Sequence, residues 1–470
     1  MTLRRFVLEC RNLHHFRISL YALTIFWSLS TVADGNRIEH HALTVNINPE
    51  ANSLTATDVI QIRGGEPELL LYLGSTFTWK EMRQGDRVLR WEKVAEGAGG
   101  KGARYRVEGW SPNNQPLVAS WQGTLAEFRG YRVSIIRADL VELSGFSGWF
   151  PTIETSSQAE LFTYTMKLNM PDDWVVLSPR DGEFKPDTGG RMDFIHQTSQ
   201  TQDIFICASP DFHRYQIGSE DSRVLLYSLP RKDLEPIVTD FESVVSLNTE
   251  WFGIPVTSRT IVAIISPRRG GAEWGYERGP FWVTGDGFAN YLLEHDWESQ
   301  GLKKSLAAHE TIHTWFGKSL GFEQAWLMEA LTQYLEVIIT ARLYGQADLP
   351  DRYFTWYQVR FANSRAGIDV PVSQLAIDEN HYDHWYLKGS WAFWDLEALA
   401  GREALIEAFS TVYKERSGST ISSADFIKLL EKSLKTDLGP FFAHWFDQPG
   451  FEPLYRGKTG IMGSAVKGAE

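Results

Sequence analysis

Cysteine is nearly absent. The 470-residue chain holds two, Cys10 and Cys207, so a disulfide framework is excluded and packing must hold the fold. Cys207 lies in the apolar run Asp203-Ile204-Phe205-Ile206-Cys207-Ala208 and reads as a small core residue rather than a nucleophile. Basic charge is also short: 46 Lys and Arg stand against 59 Asp and Glu, a formal charge of −13, which argues against nucleic acid as a partner because its phosphates need cations. Long apolar runs are missing outside the first 33 residues, so no later segment is expected to span a membrane. Within those residues Arg4, Arg5, Arg11 and Arg17 precede an apolar stretch over 18–32 that ends in Thr31-Val32-Ala33. That is the layout of an export signal, either cleaved after Ala33 or retained as a membrane tether through residues 18–32. The expected address is periplasmic or extracellular. The segment carries four arginines and one glutamate; the remainder has 42 basic and 58 acidic residues, a charge of −16.

Apolar residues make up 43% and charged residues 22% of the chain, ordinary values for a globular protein. Its length exceeds what one core usually serves, so two or three domains are expected. From 38 to 213 short alternating runs, such as Ala42-Leu43-Thr44-Val45-Asn46-Ile47, are separated by Gly, Pro, Asn and Asp clusters. This pattern predicts an antiparallel, sandwich-like β domain over 34–215. After 218 the spacing changes. Leu234, Ile237, Phe241, Val244, Val245 and Leu247 recur at helical intervals, 260–265 reads as a short buried strand, and helices are expected around 302–316, 327–343, 391–399, 405–412 and 424–434. Residues 216–470 therefore read as an α-rich domain with a small sheet. Its many tryptophans, among them Trp274, Trp282, Trp315, Trp326, Trp385, Trp391 and Trp394, read mainly as packing residues.

One constellation carries chemistry. His309-Glu310-Thr311-Ile312-His313 is an H-E-x-x-H run in an apolar helical stretch. Residues four apart share a helix face, so both imidazoles can reach one metal ion, with Glu310 beside them to take a proton from water. A catalytic zinc site needs a third protein ligand and an open position, and Glu329, at the start of the next helical pattern, is the candidate. A glycine-containing turn over 317–321 can return Glu329 to the histidine face. Glu336 follows by seven residues, nearly two turns, and faces the same way. It reads either as an acceptor that orients a histidine ligand or as a solvated helix charge.

These residues resemble the aminopeptidase N-like family of gluzincin zinc peptidases. His309-Glu310-Thr311-Ile312-His313-Thr314-Trp315-Phe316-Gly317 is similar to the family's H-E-x-x-H-x-W-F-G, and Trp326-Leu327-Met328-Glu329-Ala330 to its W-L-N-E-G. In the β half, residues 41–47 and Gly148-Trp149-Phe150-Pro151 are similar to the family's opening strand and W-[YF]-P segment. Trp385-Tyr386-Leu387-Lys388-Gly389 resembles its Y-x-K-G, which implies for Tyr386 the role of stabilising an oxyanion. His381 and His384 nearby read as pocket-rim or surface residues. The resemblance implies a thermolysin-like fold for 216–470, one zinc ion, and a peptide or protein substrate.

The match departs from the pattern in two places. Fifteen residues separate His313 from Glu329, fewer than the family usually has, which shortens the loop at the lip of the site. Gly270-Gly271-Ala272-Glu273-Trp274 is only a partial counterpart of the family's Gly-x-Met-Glu-Asn. Gly271, Ala272 and Glu273 are still the candidate substrate-binding residues, Glu273 as the partner of a free α-ammonium. The chain runs little beyond 440–450, where such catalytic domains end, so longer peptides are expected to enter. The expected activity is release of N-terminal residues from peptides, with endopeptidase action, or zinc-dependent peptide recognition without turnover, as the alternatives.

Overall fold

The computed structural model describes residues 35–96, 102–113, 115–125, 134–153, 162–179, 191–201, 203–219, 222–230, 234–255, 260–266, 276–278, 281–285, 305–365, 370–375 and 383–456. Residues 1–33, expected to act as an export signal or anchor, fall outside them. Among the described residues no helix is long and apolar enough to cross a membrane.

The first half is built from sheets. Alternation of exposed and buried positions along Arg37–Asn48 gives each strand one apolar face, and two such faces must cover each other. Arg37–Asn48 and Ser53–Arg63 form an antiparallel hairpin in a seven-stranded sheet. The expectation of a wholly antiparallel domain is corrected at one pair: Phe162–Asn169 lies parallel to Arg37–Asn48. A parallel pair needs a long crossover, and the three-stranded sheet and half of the four-stranded sheet are formed from the intervening chain. One apolar core runs through all three sheets, including Trp79, Trp121, Trp149 and Phe150.

A five-stranded mixed sheet begins with the hairpin His213–Ser219 and Ser222–Ser228. Its first strand straddles the expected divide at 215/216. Ser222–Ser228, Thr260–Ser266 and Phe281–Gly285 then run parallel, and helix α1 (Glu235–Phe252) makes the first crossover. Strand alternation gives this sheet two apolar faces. Leu225, Tyr227, Val262 and Ile264 pack on Ile135, Leu140, Leu177, Phe205 and Cys207 of the first half. Leu226, Ala263 and Ile265 pack on the helices. Cys207 is thus a core residue of the layer that joins the two halves.

The helices follow as α2 (Ser305–Ile312), α3 (Ala325–Leu343), α4 (Leu349–Arg365), α5 (Ser390–Ala400), α6 (Arg402–Arg416), α7 (Ser423–Leu434) and α8 (Gly439–Phe446). Helix α3 is buried on nearly all sides, as a helix without a polar face must be. Trp315, Trp326, Trp385, Trp391 and Trp394 are all in the core; Trp274 lies outside the described residues.

A rare π-helical segment, Asp383–Gly389, leads into α5. Helix α5 is fixed from behind by the last described residues. The buried Asp395 carboxylate accepts from Trp445 Nε1 at 3.1 Å and from the backbone N–H of Leu454, Tyr455 and Arg456 at 2.8, 2.9 and 2.7 Å. Arg456 donates to Glu397 at 2.9 Å, and Tyr334 of α3 donates to the same carboxylate at 2.6 Å. Asp395→Ala would strand these donors in the interior and is expected to lower stability by about 4 kcal/mol. Urea unfolding of the variant measures it.

Candidate metal centre

His309 and Glu310 sit in the last turn of α2, and His313 lies one residue past its end. The expected helix is therefore shorter than the H-E-x-x-H run. One-turn spacing persists because the His313 N–H still faces the His309 carbonyl, at 3.4 Å. The chain leaves through wide turns in which Lys318, Ser319 and Leu320 donate N–H groups to the carbonyls of His313, Thr314 and Trp315 at 3.0, 3.2 and 2.9 Å, giving partners to groups that a helix end leaves open. Gly317 has φ +143°, and a Cβ there would meet His313 Nδ1 at 3.3 Å. Glycine lets the turn pass against the back of that imidazole.

Helix α3 brings Glu329 back. His309 Nε2 and His313 Nε2 are 3.3 Å apart, and Glu329 Oε2 is 3.4 and 3.5 Å from them. Ligands about 2.0–2.1 Å from a tetrahedral ion lie about 3.3–3.4 Å from one another, so the triangle has the size a zinc ion requires. His309, His313 and Glu329 form the metal-ligand cluster among the described residues. Glu329 Oε2 is buried without a hydrogen-bond donor, which in a protein interior is costly unless something positive lies against it. The donor set fits zinc: two imidazoles and one carboxylate.

The other ring nitrogens fix the tautomers. His309 Nδ1 donates to Glu336 Oε2 at 2.9 Å and His313 Nδ1 to the Phe316 carbonyl at 3.2 Å. Both partners accept, so Nδ1 carries a proton, and each imidazole, once neutral, presents its Nε2 lone pair to the centre of the triangle. Glu336 is thus a buried acceptor, not a solvated charge.

Electrostatically the site is short of positive charge. Burial by itself pushes the imidazoles down, but Glu329 and Glu336, with Glu310 nearby, raise His309 well above the ordinary histidine range. Glu329 and Glu310 likewise outweigh burial and the repulsion of His309 to raise His313. Burial pushes Glu329 up, yet His313 and His309 hold it well below the usual carboxylate range. Without a metal the pocket keeps protons on its histidines; a divalent cation supplies the same charge at one point.

Glu310 is buried beside His309 in the chain. Tyr386, half-buried on the π-helical segment, stacks on His309 with ring centroids 5.8 Å apart and planes at 23°. That segment is pressed onto α3, since a Cβ on Gly389 would come within 2.6 Å of the Ala330 Cβ. His384 is no rim residue: it is buried, edge-on to Phe361 at 5.3 Å, because the wide π-helical turn rotates it into the core. His381, Gly271, Ala272 and Glu273 lie outside the described residues.

Several buried polar residues went unmarked in the sequence, Gln333 and Glu142 among them. Gln333 of α3 touches Glu336, and Glu142 accepts from Ser266 Oγ at 2.6 Å across the layer joining the halves. Glu142 had an available signal, a lone polar letter in the apolar strand Leu140-Val141-Glu142-Leu143; Gln333 had none, since α3 also carries Glu329, Thr332 and Glu336.

Comparison with known proteins supports the motifs. Residues 291–445 match the Peptidase family M1 domain, which bears out the resemblance to the aminopeptidase N-like family. Leucine aminopeptidase 2 of Ajellomyces capsulatus is 29% identical over 172 residues, 32% of this chain and 27% of the relative. The Phaeosphaeria nodorum protein of that name is 26% identical over 213 residues, 41% of this chain and 30% of the relative. The chain thus aligns with less than a third of the length of these curated relatives. An M1 zinc metallopeptidase mutant from Deinococcus radiodurans superposes with a TM-score of 0.63 at 15% identity, covering 90% of this chain and 96% of the other. A second structure of that mutant, bound to a Tyr-Ser-Ala substrate, gives 0.63 at 14% with the same coverage. The fold is therefore that of the M1 metallopeptidases, a β-rich N-terminal half on a helical half with a small sheet.

The raised imidazoles set a pH dependence. A ligand must shed its proton, so zinc affinity falls as pH drops and keeps rising above the pH at which an ordinary histidine is already neutral. At pH 7 binding is expected to release about one to two protons per zinc, read by calorimetry in buffers of different ionisation enthalpy; identical heats in all buffers would contradict the assignment.

Proposed function

We propose that this protein is a zinc-dependent peptidase that releases N-terminal residues from peptides. The observation that carries it is the triangle of His309 Nε2, His313 Nε2 and Glu329 Oε2, at zinc-ligand separations, with Glu310 next to it. The M1 domain match and the leucine aminopeptidase relatives support peptide hydrolysis and favour the N-terminal end of the substrate. The substrate-bound Deinococcus radiodurans structure supports a peptide as the ligand class.

A zinc ion held by the three ligands supplies Lewis acidity that polarises the scissile carbonyl and makes water easier to deprotonate. Glu310 takes the proton of the attacking water and passes it to the leaving amine. The Tyr386 hydroxyl, its ring set by stacking on His309, donates to the oxyanion that develops on the carbonyl. Glu336 holds the His309 ring by its Nδ1–H, so the ligand does not turn away when charge shifts at the site. Glu273 anchors the substrate's free α-ammonium, and residues 1–33 direct the protein out of the cytoplasm, by cleavage or as a tether.

Glu310→Gln is expected to keep one bound zinc and to lose at least about 1,000-fold in kcat on fluorogenic peptides with free N-termini. Retention of activity would remove the general base from the scheme. For Glu273→Ala, KM for free-amine peptides is expected to rise by about tenfold or more. Unchanged KM together with cleavage of N-blocked peptides would make the enzyme an endopeptidase.

A further inference from the structure

Behind Glu336 lies a second layer of donors that the hydrolytic scheme does not use. Gln333, one turn before Glu336 on α3, directs Nε2 at Glu336 Oε2 and at the Tyr357 hydroxyl oxygen, both at 2.6 Å. Tyr353 donates to the other oxygen, Glu336 Oε1, at 3.4 Å. Both tyrosines come from α4, and Gln333, Glu336, Tyr353 and Tyr357 are all buried.

An amide nitrogen has two hydrogens, and here each has an acceptor of its own. The Glu336 oxygen that receives the His309 Nδ1–H receives the Gln333 N–H as well. A carboxylate held by one donor can swing about its Cγ–Cδ bond; one held by two donors on the same oxygen and a third on the other is fixed in its plane. The His309 ring inherits that orientation, and with it the direction of the Nε2 lone pair.

We infer that Gln333, seated by Tyr357, is a positioning residue for the metal: through Glu336 it locks the plane and tautomer of His309 and so slows loss of the ion. The inference rests on the zinc reading of His309, His313 and Glu329. The Gln333 amide reaches the metal ligands only through Glu336: its hydrogen bonds go to Glu336 and Tyr357, while Glu329 lies one turn earlier on the same helix.

The test uses the zinc-loaded full-length protein and zinc itself as the probe. Transfer of zinc to a chromophoric chelator gives the release rate for wild type, Gln333→Met, Glu336→Gln and the double variant. The cobalt(II) absorption bands of each report ligand geometry. Gln333→Met keeps the length of the side chain and removes both donors; its zinc release is expected to be about tenfold faster, with shifted cobalt bands. In the Glu336→Gln background the same change is expected to alter release less than about twofold, because the path is already cut.

Release from Gln333→Met within about twofold of wild type overturns the inference, as does an equal effect in the Glu336→Gln background, which is what a merely structural role gives. If Gln333→Met does not fold, Tyr357→Phe is read by the same criteria, with a smaller expected acceleration of about threefold. A wild-type protein that binds no zinc sinks the functional proposal itself and is distinguishable from either result.

Discussion

Two imidazoles, the buried carboxylates of Glu310 and Glu336 and the partly buried carboxylate of Glu329 meet at the junction of α2 and α3, and they are tolerable there only with positive charge among them. Ionised groups in a protein interior lose their hydration, and attraction to a partner restores it only when geometry is close. Glu310, Glu329 and Glu336 outnumber His309 and His313, which explains why the imidazoles hold their protons so strongly and why a divalent cation suits the triangle. The neighbouring structure serves this requirement. The wide turn after α2 aims His313, the largely buried α3 carries two of the acids, and the π-helical turn lays Tyr386 over His309.

The interior around the site is arranged by the same logic applied to other charges. Asp395 collects the N–H groups of the last described residues, and Glu397 takes Tyr334, Arg402 and Arg456. Both lie on α5, directly after the segment that bears Tyr386. Each buried acid therefore ties together elements distant in sequence, and α3 is held at both the Glu336 and the Tyr334 positions. Removing a donor from such a group leaves a charge without hydration, so these pairs act as fasteners whose loss is felt along the helix.

Much was legible from local pattern. Alternation predicted the β half, helical periodicity predicted α1 to α3 and α5 to α7, and H-E-x-x-H with Glu329 named the three groups that converge. Two helices, Leu349–Arg365 and Gly439–Phe446, escaped notice because the first mixes aromatic and polar residues without a clear period and the second, at 8 residues, is too short to show one. The parallel strand pair was invisible because pairing direction leaves no trace in a single strand's alternation. His384 read as a rim or surface residue because its burial depends on contacts such as that with Phe361, a residue distant in the chain, which local sequence does not reveal.

The sequence by itself determined which atoms can bind a metal and which carboxylate can take a proton, because those are properties of residue type and of spacing within one helix. It also determined that packing rather than disulfides holds the fold. Only the tertiary structure decided the size of the ligand triangle, the tautomers of His309 and His313, the burial of Glu336 and the place of Gln333 behind it. Those depend on two helices meeting at a particular distance and rotation, and that meeting is set by the core of the whole second half, not by any segment within it.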